Sequence, residues 1–256
     1  MINIKHTLKI LCIPLLLLIH ACQSSLSEGK VDDLSLIGAR IEVTQNLTDQ
    51  KDNGVSIHLF DKDGRTIANR AIKIKVNNID LDFYQRQELY YTTTTNYITS
   101  NMPVAKLYNF EIVLTNGKTY FLGKVTPLAE VNDNDIIYDK TGKFDQDFLI
   151  SWKNLKEINE LYISKGVKLK TSTELEQNYS GDSVITRQIK PYGSYIVPKS
   201  KYIDSISIIS DLNFKFNALK SGRVNPDLVK DSQITISGTI EKSVDFDEES
   251  QEKKGR

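Results

Sequence analysis

The sequence predicts an all-β protein built as two tandem antiparallel β-sandwich domains. Three observations carry that expectation. From residue 34 onward apolar side chains recur at every second position, which places one face of each run in a core and the other in water. Asn-, Asp- and Gly-rich turn signals separate these runs at the spacing of a sandwich. A polar, turn-rich break over 127–144 then divides the body into two stretches of about 100 residues each, a common sandwich size.

In chain order, Lys5 and Lys9 precede the apolar run Ile10-Leu11-Cys12-Ile13-Pro14-Leu15-Leu16-Leu17-Leu18-Ile19. A charged segment followed by a short apolar one has the form of a secretory signal peptide. The run is about half the ~20 residues a membrane-spanning helix needs, and Pro14 interrupts it. It ends in Ile19-His20-Ala21-Cys22, which resembles the bacterial lipobox, with His20 an unusual occupant of its position. The resemblance implies a lipoprotein signal peptide over 1–21, cleavage before Cys22, and acylation of Cys22. The mature chain would have 235 residues, 31 of them basic and 33 acidic. Several acyl chains anchor a protein stably where one does not, so the anchor would be lipid and not charge. Gln23 follows the cysteine, where an aspartate would signal inner-membrane retention in enteric bacteria. The expected location is the outer membrane, with the leaflet open. Residues 22–32 form a polar tether.

The first sandwich is expected over 33–128. Ile72, Ile74 and Val76 alternate with lysines, and Tyr108, Phe110, Ile112 and Leu114 alternate with Asn109, Glu111 and Val113. Asn116-Gly117 suits a type I′ hairpin turn, Asp61–Arg65 a longer loop, and Asn77-Asn78 a further turn. Residues 129–143 are expected to be a linker. The second sandwich follows over 144–247, where Leu212, Phe214, Phe216 and Ala218 alternate with Asn213, Lys215 and Asn217, and Ile234, Ile236 and Ile240 keep the same period. Trp152–Ile163 fits either a short helix or a strand interrupted by a loop, and Asn225–Lys230 suits one helical turn. The tail 248–256 has no apolar residue and is expected to be disordered.

The lipobox, Ala71–Asn77, the tyrosine-rich segment and Tyr108–Gly117 together resemble uncharacterised Bacteroidota-type outer-membrane lipoproteins with immunoglobulin-like or fibronectin-III-like domains. The resemblance implies architecture and envelope location, and it brings no catalytic motif.

Composition narrows the chemistry. With 39% apolar and 26% charged residues, and 33 basic against 33 acidic groups, the chain is too apolar for general disorder and too neutral to attract nucleic acid. Cys12 leaves with the signal and Cys22 is acylated, so no disulfide is expected. His58 is the single histidine of the mature chain, which leaves no Cys/His zinc site and no Gly-x-Ser-x-Gly nucleophile elbow to serve. The acid pairs Asp80/Asp82 and Asp145/Asp147 lack the across-cleft arrangement that glycoside hydrolysis needs. The chain is read as a non-catalytic protein without a cofactor.

Four groups of candidate residues remain. Tyr84, Tyr90, Tyr91 and Tyr97 offer flat rings with hydroxyls to a glycan or a protein partner, set against their ordinary use as strand residues. Asp133, Asp135 and Asp139 supply oxygen ligands for calcium, set against the turn preference of Asp and Asn. Ser183 and Ser205, in Asp-Ser-Val and Asp-Ser-Ile triplets, resemble O-glycosylation acceptors of Bacteroidota envelope proteins. Cys22 carries the anchor. The expected function is a lipid-anchored envelope binding or scaffolding protein. The alternatives are an accessory subunit of an outer-membrane transport or secretion complex and, least supported, an envelope hydrolase. The partners expected are the membrane through the anchor, and a glycan or an outer-membrane protein.

Overall fold

Alternating burial along the chain is the organising feature. In Asn53–Phe60 the residues Val55, Ile57 and Leu59 are buried while Ser56 and His58 are half-exposed. In Ser207–Ser221 the residues Leu212, Phe214, Phe216 and Ala218 are buried and Asn213, Lys215 and Asn217 half-exposed. The computed structural model describes residues 24–49, 51–87, 93–170 and 179–247. It is all-β, with 56% of the described residues in strands and 6% in helical turns.

The strands are β1 (Gly38–Thr44), β2 (Asn53–Phe60), β3 (Lys73–Val76), β4 (Ile79–Asp80), β5 (Asp82–Gln87), β6 (Thr93–Met102), β7 (Tyr108–Val113) and β8 (Thr119–Val125). There follow β9 (Ile136–Tyr138), β10 (Thr141–Gly142), β11 (Phe148–Trp152), β12 (Ile158–Leu169), β13 (Tyr179–Gln188) and β14 (Gly193–Val197). The last three are β15 (Ser207–Ser221), β16 (Arg223–Val224) and β17 (Gln233–Phe246).

The chain forms two compact units, each drawn from three stretches. Among the described residues, unit 1 takes those up to Val43, in Gly54–Thr126 and in Ser221–Thr235; unit 2 takes those in Thr44–Asn53, in Pro127–Lys220 and from Ile236 onward. Composition along the chain predicts one change of domain, between 128 and 144. In the structure 44–53 goes with unit 2, 221–235 with unit 1, and the expected linker lies within unit 2. Composition marks where a chain is polar, whereas membership of a unit follows strand pairing, which composition does not report.

In unit 1, β1, β2, β6 and β5 neighbour one another in that order, and a second sheet runs β16-β8-β7-β3-β4. Ile57, Ile74, Phe110, Ile112 and Leu122 are fully buried. The turns show how local chemistry sets each hairpin. Asn77 (φ 48°) and Asn78 (φ 69°) join Val76 to its partner Ile79. This is a two-residue turn with two positive φ values, the type I′ geometry. At Thr115–Gly117 only Gly117 has positive φ (79°), its N–H bonds to the Leu114 carbonyl, and Leu114 and Lys118 close the hairpin. That is a three-residue loop ending in a left-handed glycine, so the type I′ turn expected at Asn116-Gly117 is corrected. Asp61–Arg65 repeats the arrangement with Gly64 at φ 76°. The buried Asp61 carboxylate accepts from the Asp63 and Arg65 amides.

In unit 2, β13, β12 and β15 pair antiparallel and β17 neighbours β15, with β10 added in parallel to β17. A second sheet runs β14-β11-β9. Trp152–Ile163 is therefore strand, loop and strand: Leu155 is buried within the β11–β12 connection, and Ile158, Leu161 and Ile163 are buried positions of β12. Trp152 is a core residue. Its indole N–H donates to the Lys190 carbonyl at 2.8 Å and its ring meets Phe216 edge-on at 5.8 Å. Asn225 opens a hydrogen-bonded turn through Leu228 rather than a helix.

The segment after Pro127 is strapped down. Gln45 exchanges two hydrogen bonds with the Leu128 backbone, at 2.8 and 3.0 Å. Lys220 Nζ donates to the Pro127 carbonyl at 2.7 Å and pairs with Glu157 at 2.7 Å. Glu157 in turn accepts from the Ala129 N–H.

Candidate functional site

One concavity among the described residues lies in unit 2. It is an open recess of about 760 Å³ lined by Thr48, 129–133, Asp135, Asn154 and Lys156. Its wall is built by turn chemistry. The Asn132 side chain accepts from the Asn134 N–H at 3.0 Å and caps the short helical turn Asp133–Asp135. The Val131 N–H bonds to the Leu47 carbonyl at 2.8 Å. Asn154, with φ 57°, donates to Asp135 and accepts from the Tyr192 hydroxyl at 2.7 Å. The recess is polar and solvent-lit, suited to hydrogen-bonding ligands.

The structure does not gather Asp133, Asp135 and Asp139, the carboxylates considered for calcium, into one group. Asp133 pairs with Lys242, Asp135 with Lys153 at 3.9 Å, and Asp139 lies beyond β9. Among the described residues, no group of three His, Cys, Asp or Glu side chains is placed to hold a metal ion. Asn132 and the aspartates form a capped turn with lysine partners, which is the structural use of such residues.

The tyrosines do not form one surface. β5 pairs with β6 so that Phe83 faces Tyr97 and Tyr84 faces Asn96, putting Tyr84 and Tyr97 on opposite sides of the sheet. Tyr84 is exposed, whereas Tyr97 has 1% of its surface accessible. Tyr97 donates its hydroxyl to the Asn69 carbonyl at 2.7 Å and meets Phe83 edge-on at 5.4 Å. Burial holds its phenol well above the ordinary tyrosine range. Tyr97 is thus a core residue and not a ligand contact. Tyr90, Tyr91 and Cys22 lie outside the described residues.

The remaining polar groups hold structural positions. His58 is half-buried, with Nδ1 3.2 Å from the Thr95 carbonyl. Asp80 pairs with Lys75 at 3.6 Å, and Asp82 begins a different strand. Asp145 and Asp147 flank the buried Tyr202, whose phenol is raised to about 12 by burial first and by the Asp147 and Asp145 charges after it. Asp147 also accepts from the Lys199 N–H at 2.9 Å.

Ser183 and Ser205 are both exposed. Asp204, beside Ser205, folds its carboxylate back onto the Ile206 and Ser207 amides, the Ser207 hydroxyl and Lys165. Burial works to raise the Asp204 pKa, but these hydrogen bonds outweigh it and hold the group at about 2.

Two surface features of unit 2 escaped the sequence reading. On the outer side of β14-β11-β9, Ile196 sits directly opposite Leu149 and Ile137 lies diagonally from it; each is more than half exposed. On the outer side of β13, β12, β15 and β17 lies a row-and-column array of polar side chains centred on Tyr162. Each strand contributes only alternate residues to it, so no continuous motif announces the array in the sequence.

No family model matches the chain, and no curated protein matches it. A solved structure titled "Cytokine receptor complex - Crystal form 2" is similar over 68% of this chain and 88% of its own, at 10% identity and a TM-score of 0.23. No functional reading rests on that likeness.

Proposed function

We propose that this protein is a lipid-anchored binding protein of the bacterial cell envelope, carried by Cys22 at the outer membrane and without catalytic activity of its own. The observation that carries the reading is the Ile19-His20-Ala21-Cys22 tetrapeptide behind a charged, short apolar leader. The body supports it. Side chains of the kinds that do chemistry are engaged in holding turns and strands: Asp61 and Asp204 in their own loops, Asp133 and Asp135 against lysines, and Asp145 and Asp147 around Tyr202. What the strands leave for recognition is extended surface on a rigid core, which suits binding.

The test is fractionation of cells expressing the full chain and its Cys22→Ser variant, followed by protease shaving of intact cells. The wild type should travel with the outer membrane and the variant should not. Identical fractionation of the two would overturn the anchor. Shaved peptides would assign the outer face, and protection until the membrane is breached the periplasmic one.

A second reading, an accessory subunit of an outer-membrane transport or secretion assembly, draws on the contiguous Ile137, Leu149 and Ile196 surface. Contiguous exposed apolar side chains mark protein contacts more often than scattered ones do. Co-purification with an integral outer-membrane protein in mild detergent, lost on Leu149→Ser, is the outcome it requires.

A further inference from the structure

We infer that the polar face of β13, β12, β15 and β17 binds an uncharged oligosaccharide laid flat across the strands, with Tyr162 as its platform. This deepens the binding reading above and rests on it.

The face is assembled by register. Alternation sends Leu161 and Ile163 of β12, and Phe214 and Phe216 of β15, into the core at 0% exposure. It turns Glu160, Tyr162 and Ser164, and Asn213, Lys215 and Asn217, the other way. Pairing then sets Glu160 beside Asn217, Tyr162 beside Lys215 and Ser164 beside Asn213. On the far side of β12, Gln188 lies beside Glu160 and Thr186 beside Tyr162. β17 completes the array, with the Thr239 hydroxyl donating to Asn217 Oδ1 at 3.0 Å and Glu241 pairing with Lys215 at 2.8 Å. At strand spacing of ~4.8 Å and ~3.4 Å per residue, the array covers roughly 14 by 14 Å.

Sugar chemistry matches this surface in three ways. A sugar hydroxyl is donor and acceptor at once, so vicinal hydroxyls need donors and acceptors interleaved within a few ångströms. Amide, carboxylate, ammonium and hydroxyl groups supply that mixture here. The apolar C–H side of a sugar ring packs on an aromatic face, and Tyr162 stands at the centre of the array with a hydroxyl that makes no hydrogen bond to another described residue. Last, the face offers no free positive charge among the described residues: Glu160, Glu241 and Asp211, which accepts from Asn213, stand against one ammonium that already holds Glu241. A phosphate-rich ligand would need unneutralised Lys and Arg, and a protein hot spot would need more apolar anchors than Tyr162 and, at one end, Leu219.

The array is also pre-set. Asn217 donates to Glu160 Oε1 at 3.0 Å and accepts from Thr239. This chain fixes three side chains before a ligand arrives and leaves the second Glu160 oxygen available. Rotamers already held are not paid for again on binding.

The experiment is native affinity electrophoresis of the detergent-solubilised full-length protein in gels containing dextran, xylan or galactomannan, with dextran sulfate as the polyanion. Wild type should be retarded by at least one neutral polymer. Tyr162→Ala and Glu160→Gln should weaken that retardation at least tenfold in apparent Kd, and Tyr162→Phe should keep most of it. Glu160→Gln preserves shape, so a loss there is not a folding defect; thermal midpoints of all variants are compared alongside.

Tyr84→Ala, on the exposed side of β5, should be silent. Retardation lost in Tyr84→Ala and kept in Tyr162→Ala would overturn this face while leaving glycan binding standing. Retardation by dextran sulfate alone, or by no neutral polymer, would overturn the sugar. The envelope-anchoring reading is decided separately, by the Cys22→Ser fractionation.

Discussion

Replacing Tyr97 distinguishes a core residue from a ligand contact. Its hydroxyl donates to the Asn69 carbonyl at 2.7 Å, and that carbonyl also accepts from the Ile72 N–H at 3.2 Å. Tyr97→Phe therefore removes one hydrogen bond without orphaning its acceptor, and the expected loss is about 1 kcal/mol. Tyr97→Ala opens a cavity beside Phe83 and should cost about 3–5 kcal/mol. Urea unfolding followed by far-UV circular dichroism reads both. With a slope of roughly 1–3 kcal/mol per molar, the Phe variant should move the midpoint by about 0.3–1 M and the Ala variant several times further. There is a pH signature as well. Burial raises the Tyr97 pKa, so the folded state favours the neutral phenol. Its contribution is complete below the unfolded value of about 10 and is lost as pH rises beyond it. Tyr97→Phe should flatten the alkaline limb of the stability profile. An Ala variant losing less than about 1 kcal/mol would refute the core assignment, because no buried aromatic is that cheap to remove.

Asp204 should show the opposite linkage. Its folded pKa is lowered to about 2, so its contribution is present above the unfolded value and lost as pH falls toward 2. With a third of the side chain exposed, solvent screening holds the effect to about 1 kcal/mol, and Asp204→Asn should flatten the wild-type acid limb by that amount. At the β3–β4 turn, Asn78→Val should destabilise by about 1–2 kcal/mol and Asn78→Gly should not, since φ 69° penalises a β-branched residue; thermal melts decide it. If the two Asp-Ser triplets are glycosylated in the native host, intact-mass spectrometry should show glycan mass removed stepwise by Ser183→Ala and Ser205→Ala, and an unmodified wild-type mass would end that expectation.

The local layer of this fold was legible because alternation is a local signal. Tyr108 to Leu114 and Leu212 to Ala218 could be read as strands with the correct buried face, since each pattern needs only its own residues. Turn positions were legible for the same reason, but turn type was not. Asn116-Gly117 and Asn77-Asn78 both satisfy the chemistry of positive φ, and only the register of the flanking strands decides that the second takes the two-residue turn. Trp152–Ile163 was ambiguous because Leu155, Ile158, Leu161 and Tyr162 fit a helical period by accident of a loop between two strands.

The candidate site was less legible, and for a physical reason. Reading along the chain favours residues that cluster in sequence, which is why Tyr84–Tyr97 and Asn132–Asp135 attracted attention. Pairing disperses the first cluster, since neighbours of opposite parity face opposite sides: Tyr84 goes to solvent and Tyr97 to the core. It spends the second on a capped turn. The same pairing gathers Gln188, Glu160, Asn217 and Thr239 into one row although they span 79 positions from first to last. In an antiparallel sheet a surface is perpendicular to the sequence, so its members sit at intervals set by strand and loop lengths. A flat recognition face on such a protein is thus invisible to motif reading, and the residues worth substituting first are those that register, not proximity in sequence, brings to one side.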